Sequence, residues 1–520
     1  MFLHRGWTDI TTPATTLLLS AVPAEDVELY GIVPEWVTLR LKLLLKKGDR
    51  SNLDNWRGIM LIDCLAKIVS VVVDRRLGSI LREERLEEQC GFSGGRGVTD
   101  GTFSLKLALK RRREHGKHSY VLFVDLIKAF DSTPRDVLFV LLKKIGVPPR
   151  MLDVIQRMHQ DVVVSTMVGD IKVTVPNEGG VKQGENSAPK YFLTVVQAII
   201  EVYKEKYPAA QFEFRCNTRQ GGDRAGRVAG ARSANVGEFS FVFFLSLYAD
   251  DVANGVESRA DLEAISNELL ATFVEFGLAA HVGHNGGASK TVAMFIPAHG
   301  CSAQDGDTST VTLNGGGTIG FVDNFLYLGS WLASDLSDRT DVVHRINKAS
   351  GAFGALRKEL FGTKYASYEA KRKAYTGIIL NILLYGCESW CLTADLVGTL
   401  ASWHHARLRE MSRVTMHQVW THRITTEELY ERIGVQSIEY YIRVRTLRWV
   451  GHVARMDKTR LPRRLLTAWV ANSRPNGGTE MTYGRSLERW LKHANLPCDF
   501  SEWSKLAQDR PKWRALITAP

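Results

Sequence analysis

Asp250 and Asp251 stand side by side just after the apolar run Phe239–Leu247, and Asp125 lies at the end of a second run, Ser119–Leu126. Both runs are β-branched and aromatic with polar flanks, which reads as two buried strands. Neighbouring carboxylates repel, and at the rim of apolar strands their charge is costly unless a cation neutralises it. Magnesium suits such a place: it takes oxygen ligands, keeps waters, and binds through one or two carboxylates plus substrate phosphates. Two such ions about 4 Å apart can activate an attacking hydroxyl and stabilise a departing pyrophosphate in one in-line displacement. An Asp-Asp pair alone is a common surface turn, so its surroundings must decide.

Those surroundings are ordered. Phe130 follows Asp125 by five residues in Asp125-Leu126-Ile127-Lys128-Ala129-Phe130-Asp131. Gly179-Gly180-Val181-Lys182-Gln183-Gly184 precedes an amphipathic stretch, and Tyr248-Ala249-Asp250-Asp251 comes next. In this order the residues resemble motifs A, B and C of reverse transcriptases, and the surrounding text resembles the non-LTR (LINE-type) retrotransposon class. Upstream, Lys46-Lys47-Gly48-Asp49, Asn55-Trp56-Arg57-Gly58-Ile59 and Gln89-Cys90-Gly91-Phe92 through Arg96-Gly97 resemble that family's finger motifs. Downstream, Ser289-Lys290-Thr291 is similar to motif D and Phe325-Leu326-Tyr327-Leu328-Gly329-Ser330 to the primer-grip motif E. Helices from Asp341, then Leu384-Tyr385-Gly386-Cys387-Glu388-Ser389-Trp390, resemble the thumb and the region after it, so the resemblance runs from about Trp36 to Met456.

The resemblance implies roles. Asp125 and Asp250 would bridge two magnesium ions, with manganese as the alternative metal, and Asp251 would add negative potential. Phe130 would be a steric gate against a 2′-hydroxyl. Gln183 and Gly184 would face the nascent base pair, glycine permitting close backbone approach. Arg57 would hold the triphosphate through its fork, with Lys47 or Lys46 as a point charge. Lys290 would act near the departing pyrophosphate as a general acid, and Leu328 and Gly329 would steer the primer end. The implied partners are an RNA template, a DNA primer and dNTPs. Two departures stand out: Glu185-Asn186-Ser187-Ala188-Pro189 has alanine where the family commonly has serine before proline, and Ser93 replaces a position that is often basic.

The elements that must position these groups follow from the pattern. Leu61–Leu77 reads as a helix with Leu61, Leu65, Ile68, Val72 and Arg76 near one face. Gly91–Gly101 reads as a glycine-rich loop, followed by a helix over Phe103–Arg113. Thr133 and Pro134 are placed as N-cap and first-turn proline of a helix running to Ile145 and stopped by Gly146. Leu262, Ile265, Leu269, Phe273 and Phe276 make another helix face, and so do Ile346, Ala349, Phe353, Leu356 and Leu360. Residues 201–240, rich in Gly and Arg, read as an insertion loop that is either solvated or in contact with a nucleic-acid backbone. Strands in the middle and helices at the end make an α+β fold. With the resemblance, this becomes a right-hand polymerase. Its expected parts are an N-terminal extension (1–34), fingers (35–118), a palm (119–300), a primer-grip region (301–335), a helical thumb (336–420) and a basic helical C-terminal region (421–520).

Length and charge bound the rest. The chain has 520 residues, with a net charge of +11 that favours a polyanionic partner. Its 7 scattered cysteines argue against a disulfide framework and for a reducing compartment. Apolar stretches such as Thr376–Gly386 fall short of the roughly 18–20 residues of a bilayer span, so no membrane is expected. An intracellular protein follows, nuclear if the host is a eukaryote. Residues before Trp36 leave no room for the endonuclease that often precedes this polymerase, so a fragment or dependence on others is expected. Cys387 and Cys391 with His404 and His405 could be a zinc site, but neighbouring Trp390 favours helix packing. Arg407, Arg409, Arg413, Arg423, Arg443, Arg445 and Arg448 alternate with Trp403, Trp420, Tyr440, Tyr441 and Trp449. The mixture fits nucleic-acid contact with base stacking, or equally an amphipathic helix with core aromatics. The competing functional class is a non-catalytic nucleic-acid-binding remnant of a mobile element.

Overall fold

The computed structural model describes residues 34–46, 48–52, 55–81, 86–207, 212–217, 238–284, 289–302, 304, 306–472 and 481–519. In chain order the strands are β1 (Thr38–Leu45), β2 (Trp56–Leu61), β3 (Ser119–Val124), β4 (Val163–Val168), β5 (Ile171–Pro176), β6 (Phe212–Asn217), β7 (Glu238–Phe243), β8 (Leu245–Tyr248), β9 (Asp251–Val256), β10 (Val292–Ile296), β11 (Val311–Thr312), β12 (Thr318–Ile319), β13 (Asn324–Tyr327) and β14 (Ser330–Ala333). The described residues fall into two compact units. One lies within Met1–Leu86, Asp125–Pro208 and Ile265–His281, the other within Glu87–Val124, Ala209–Ala264 and Val282–Pro520.

The first unit carries a sheet of order β2-β1-β4-β5, in which only the β1/β4 pair is parallel. The Cys64–Ile80 helix starts at Asp63, whose carboxylate accepts from the Leu65 amide at 2.8 Å. Its buried stripe is Ala66, Ser70, Val73 and Leu77, whereas Leu65 is 59% exposed, so the face expected from the large residues is corrected. Small residues won because the helix lies close to the start of the Ala188–Lys206 helix: Ser187 donates to the Ser70 carbonyl and Ser70 accepts from the Asn186 amide. The Ala188–Lys206 helix buries Tyr191, Phe192, Val195, Val196, Ile199 and Ile200. The Arg135–Lys144 helix begins after Pro134, and Thr133 is not its cap; the Thr133 hydroxyl donates back to the Ala129 carbonyl.

In the second unit the strands β10-β3-β9-β8 form an antiparallel sheet, and β3 is buried throughout. The run Phe239–Leu247 is two strands rather than one. β7 pairs with β6, and the chain then turns at Phe244 into β8. Residues 212–217 are therefore strand and 201–206 helix, not insertion loop. The glycine- and arginine-rich residues 218–237 lie outside the described residues. The Val98–Glu114 helix starts inside the expected glycine-rich loop and is buried along most of its length, charges included. Lys110 meets Asp338 at 2.9 Å and Arg112 meets Glu257 at 2.6 Å, so each buried cation is paired. Long helices then follow, among them Arg339–Ala355, Ala394–Met411, Ile438–Arg455 and Arg510–Thr518. The α+β class is borne out.

Candidate active site

Tyr248 pairs with Asp251, so Ala249 and Asp250 form a two-residue hairpin turn between β8 and β9. Ala249 has φ +57°, a left-handed conformation that hairpins of this length usually give to glycine. For alanine it costs on the order of 1–2 kcal/mol, so neighbours must hold it. Gln89 does: its buried side-chain oxygen accepts from the Ala249 amide at 3.0 Å and from the Gly91 amide at 2.8 Å. Cys90 donates to the Leu247 carbonyl and Leu247 to the Glu88 carbonyl, laying residues 88–90 along β8. A Cβ on Gly91 would come within 2.5 Å of the Ala249 nitrogen, so only glycine fits against this turn. The sequence flagged Gln89–Gly91 as a motif; its structural role, clamping the aspartate turn, was not legible there.

Asp250 is half-buried on the turn and Asp251 is exposed as the first residue of β9. Val124, the last residue of β3 and the one before Asp125 in the sequence, pairs with Val252, the one after Asp251. Lys290 is exposed two residues before Val292, whose partner in the sheet is Phe123.

Leu328 and Gly329 are the two turn residues of the β13–β14 hairpin, both at positive φ (+48° and +80°). Arg345 donates to the Gly329 carbonyl, and Tyr385 donates to that of Leu328 at 3.2 Å. Arg345 also lies over the Tyr385 ring at 4.4 Å and beside Asp341 at 3.6 Å. The Tyr327 hydroxyl reaches the Ser246 carbonyl at 3.0 Å. This ties the hairpin to the strand that leads into the aspartate turn.

In the first unit, Phe130 is half-buried and stacks on Phe192 at 4.8 Å. Val181 donates to the Phe130 carbonyl. Gln183 donates to Asp131 at 3.1 Å, and its own carbonyl accepts from the Met60 amide on β2. Gly184, at φ +119°, is so close that a Cβ would lie 2.3 Å from the Met60 carbonyl oxygen. Arg57 is exposed on that same strand, three residues earlier. The unit thus brings Phe130, Gln183 and Gly184 to the strand bearing Arg57. Lys47 lies outside the described residues. Beneath this segment Lys182 donates to the Met158 carbonyl and Glu185 faces His159 at 3.6 Å. Burial pushes the Glu185 carboxyl up to about 7 and the His159 imidazole down to about 3.

Residues 44–295 match the family described as reverse transcriptase (RNA-dependent DNA polymerase). This part of the chain is a reverse transcriptase domain. Proteins of retrotransposable elements are among its relatives. A putative 115 kDa protein in the type-1 retrotransposable element R1DM of Drosophila melanogaster is 26% identical over 73% of this chain and 33% of its own length. The retrovirus-related Pol polyprotein from the type-1 retrotransposable element R2 of Popillia japonica is 26% identical over 38% of this chain and 29% of its own. The chain thus spans about a third of the length of these relatives. Among solved structures, apo telomerase from Candida tropicalis is 11% identical with a TM-score of 0.37, covering 89% of this chain and 75% of that one. Likeness at that level is too slight to inform function.

The reverse transcriptase domain belongs to a family that works with divalent metal ions. Its aspartates are hard oxygen donors of the kind such ions prefer. Among the described residues no helix is long and apolar enough to cross a membrane. The zinc reading finds no support. The His404 Nε2–H donates to the Gln436 carbonyl at 3.0 Å and Nδ1 accepts from the Tyr375 hydroxyl at 2.7 Å, so both ring nitrogens are used. Burial pushes the Cys391 thiol up to about 11 and keeps it protonated.

Proposed function

We propose that the chain is an RNA-directed DNA polymerase of a retrotransposon, extending a DNA primer 3′-hydroxyl with dNTPs on an RNA template. The observation that carries this reading is the sheet register: Val124 and Val252 are partners whose chain neighbours are Asp125 and Asp251, beside a turn that presents Asp250. Asp125 and Asp250 would hold two magnesium ions, or manganese in their place, with Asp251 adding negative potential. Bound there, the metal would lower the charge on the triphosphate and sharpen the primer hydroxyl as a nucleophile. The chain's own groups do the positioning, which supplies most of the catalysis in such transfers. Arg57 and Lys47 bind the triphosphate, and the Phe130 ring, fixed by its stack on Phe192, closes the space a 2′-hydroxyl would need. Gln183 and Gly184 lie against the nascent pair, Leu328 and Gly329 steer the primer, and Lys290 donates a proton to the departing pyrophosphate. Fingers, palm, primer grip and thumb take the limits read from the sequence.

Primer extension on an RNA template of mixed sequence tests the reading. With all four dNTPs full-length product is expected, and omission of one should stop synthesis one position before its first complement. Binding without extension would leave the remnant reading in its place. Product whose length ignores the template would contradict templated synthesis.

A further inference from the structure

The Ile438–Arg455 helix carries Arg445, Arg448, His452 and Arg455 at spacings of three, four and three, one stripe along a single face. Opposite it the Arg510–Thr518 helix presents Arg510 and Arg514, one turn apart. The two stripes line one cavity of about 580 Å³. Its acidic lining is a single carboxylate, Glu388, whose pKa burial raises, against five guanidinium groups.

Such a facing of like charges opposes the packing of the two helices, yet the helices are built to approach closely. Trp513 is buried and donates to the Leu447 carbonyl at 2.9 Å, and a Cβ on Gly451 would stand 2.1 Å from the same indole nitrogen. Among the described residues none of the five arginines forms an ion pair. Arg445 is held by the Asn381 side chain and the Leu384 carbonyl, and Arg455 by the Ala507 carbonyl. Arg510 also occupies the first turn of its helix, where the macrodipole disfavours a cation.

We infer that this cavity is an anion site that takes the phosphodiester backbone of a nucleic-acid strand. An anion would offset the repulsion and the dipole penalty together, and arginine's fork is suited to phosphate. The stripe from Arg445 to Arg455 runs about 15 Å along its helix. That is longer than one diphosphate and matches several successive phosphates of a strand. The bases would not be read here, because the nearby aromatics are committed to the core. Trp449 packs edge-on to Phe103 at 5.5 Å, and Trp513 lies against Trp503 at 6.0 Å. The inference does not rest on the catalytic reading, since it concerns binding alone.

The test uses the full chain and a triple variant, Arg448→Gln/Arg510→Gln/Arg514→Gln, whose three positions are exposed. Binding of a single-stranded RNA 20-mer is measured from 50 to 200 mM KCl, with inorganic pyrophosphate and poly-glutamate as parallel ligands. Each lost phosphate contact removes about 0.7 from the slope of log K against log salt. The variant should therefore lose about 2 in slope and at least about tenfold in affinity at the low-salt end, while the corresponding Lys triple keeps most of the slope. An unchanged slope in a variant of unchanged Tm would overturn the inference. So would a wild-type-to-variant difference confined to pyrophosphate, which would mark a small-anion site, or to poly-glutamate, which would mark a peptide site.

Discussion

His404 shows how a residue that looks like a ligand can be settled by its neighbours. It sits at 0% exposure between the Tyr375 hydroxyl and the Gln436 carbonyl, where the neutral imidazole accepts through one ring nitrogen and donates through the other. Burial lowers its pKa to about 4, with the Gln436 hydrogen bond opposing that shift in part. A group whose folded pKa is depressed contributes stability that is full above its unfolded value, near 6.5, and is lost as pH falls through the folded one. Tm should therefore fall steeply as pH drops from 6.5 to 4, with His404 contributing on the order of 3 kcal/mol. His404→Gln, which keeps a donor and an acceptor without a titratable ring, should flatten part of that slope. A profile identical to wild type would mean the ring does not titrate in this window. The aspartates at 125, 250 and 251 were readable because ordered motifs surround them in the chain; the partners of His404 were not, being 29 and 32 positions away.

At the scale of elements, the aspartate turn depends on a strained alanine and the amide that restrains it. Gln89→Met keeps the side chain's length and removes its acceptor, leaving two buried N–H groups without a partner. A loss of about 1–3 kcal/mol in unfolding free energy is expected from such groups, together with a fall in kcat at nearly unchanged KM for dNTP. Loss of stability with kcat untouched would show that Gln89 supports the fold without positioning the turn. Strands such as β3 were legible from β-branched and aromatic composition alone. Two adjacent strands, β7 and β8, were not separable, because both are apolar and the break at Phe244 leaves no turn residue in the text. The Cys64–Ile80 helix was legible as a helix but not by face, since its contact is made through Ala66 and Ser70 rather than through its large side chains.

Over the whole molecule, pattern gave the fold class and the ordered motifs, whereas charge gave only a sign. A net +11 suggested a polyanion, yet part of that charge is spent internally. Lys110 and Arg112 pair inside the protein, Lys110 with a residue 228 positions away, and Arg443 donates to the carbonyls of His493 and Ala519. Which cations remain for a ligand could not be read from spacing without these distant partners. Similarly, Tyr440 and Trp449 belong to packing, while Trp420 at 77% exposure does not. At this scale the three aspartates are proposed to carry templated DNA synthesis. The most direct test of that role is extension of a DNA primer on RNA by the wild-type chain beside Asp250→Ala/Asp251→Ala, with primer–template affinity measured for both. Extension by the wild type, a fall below detection in the variant, and affinities within about threefold of each other are expected. Equal extension by both chains, or none by a wild type that grips the primer–template, would contradict that role.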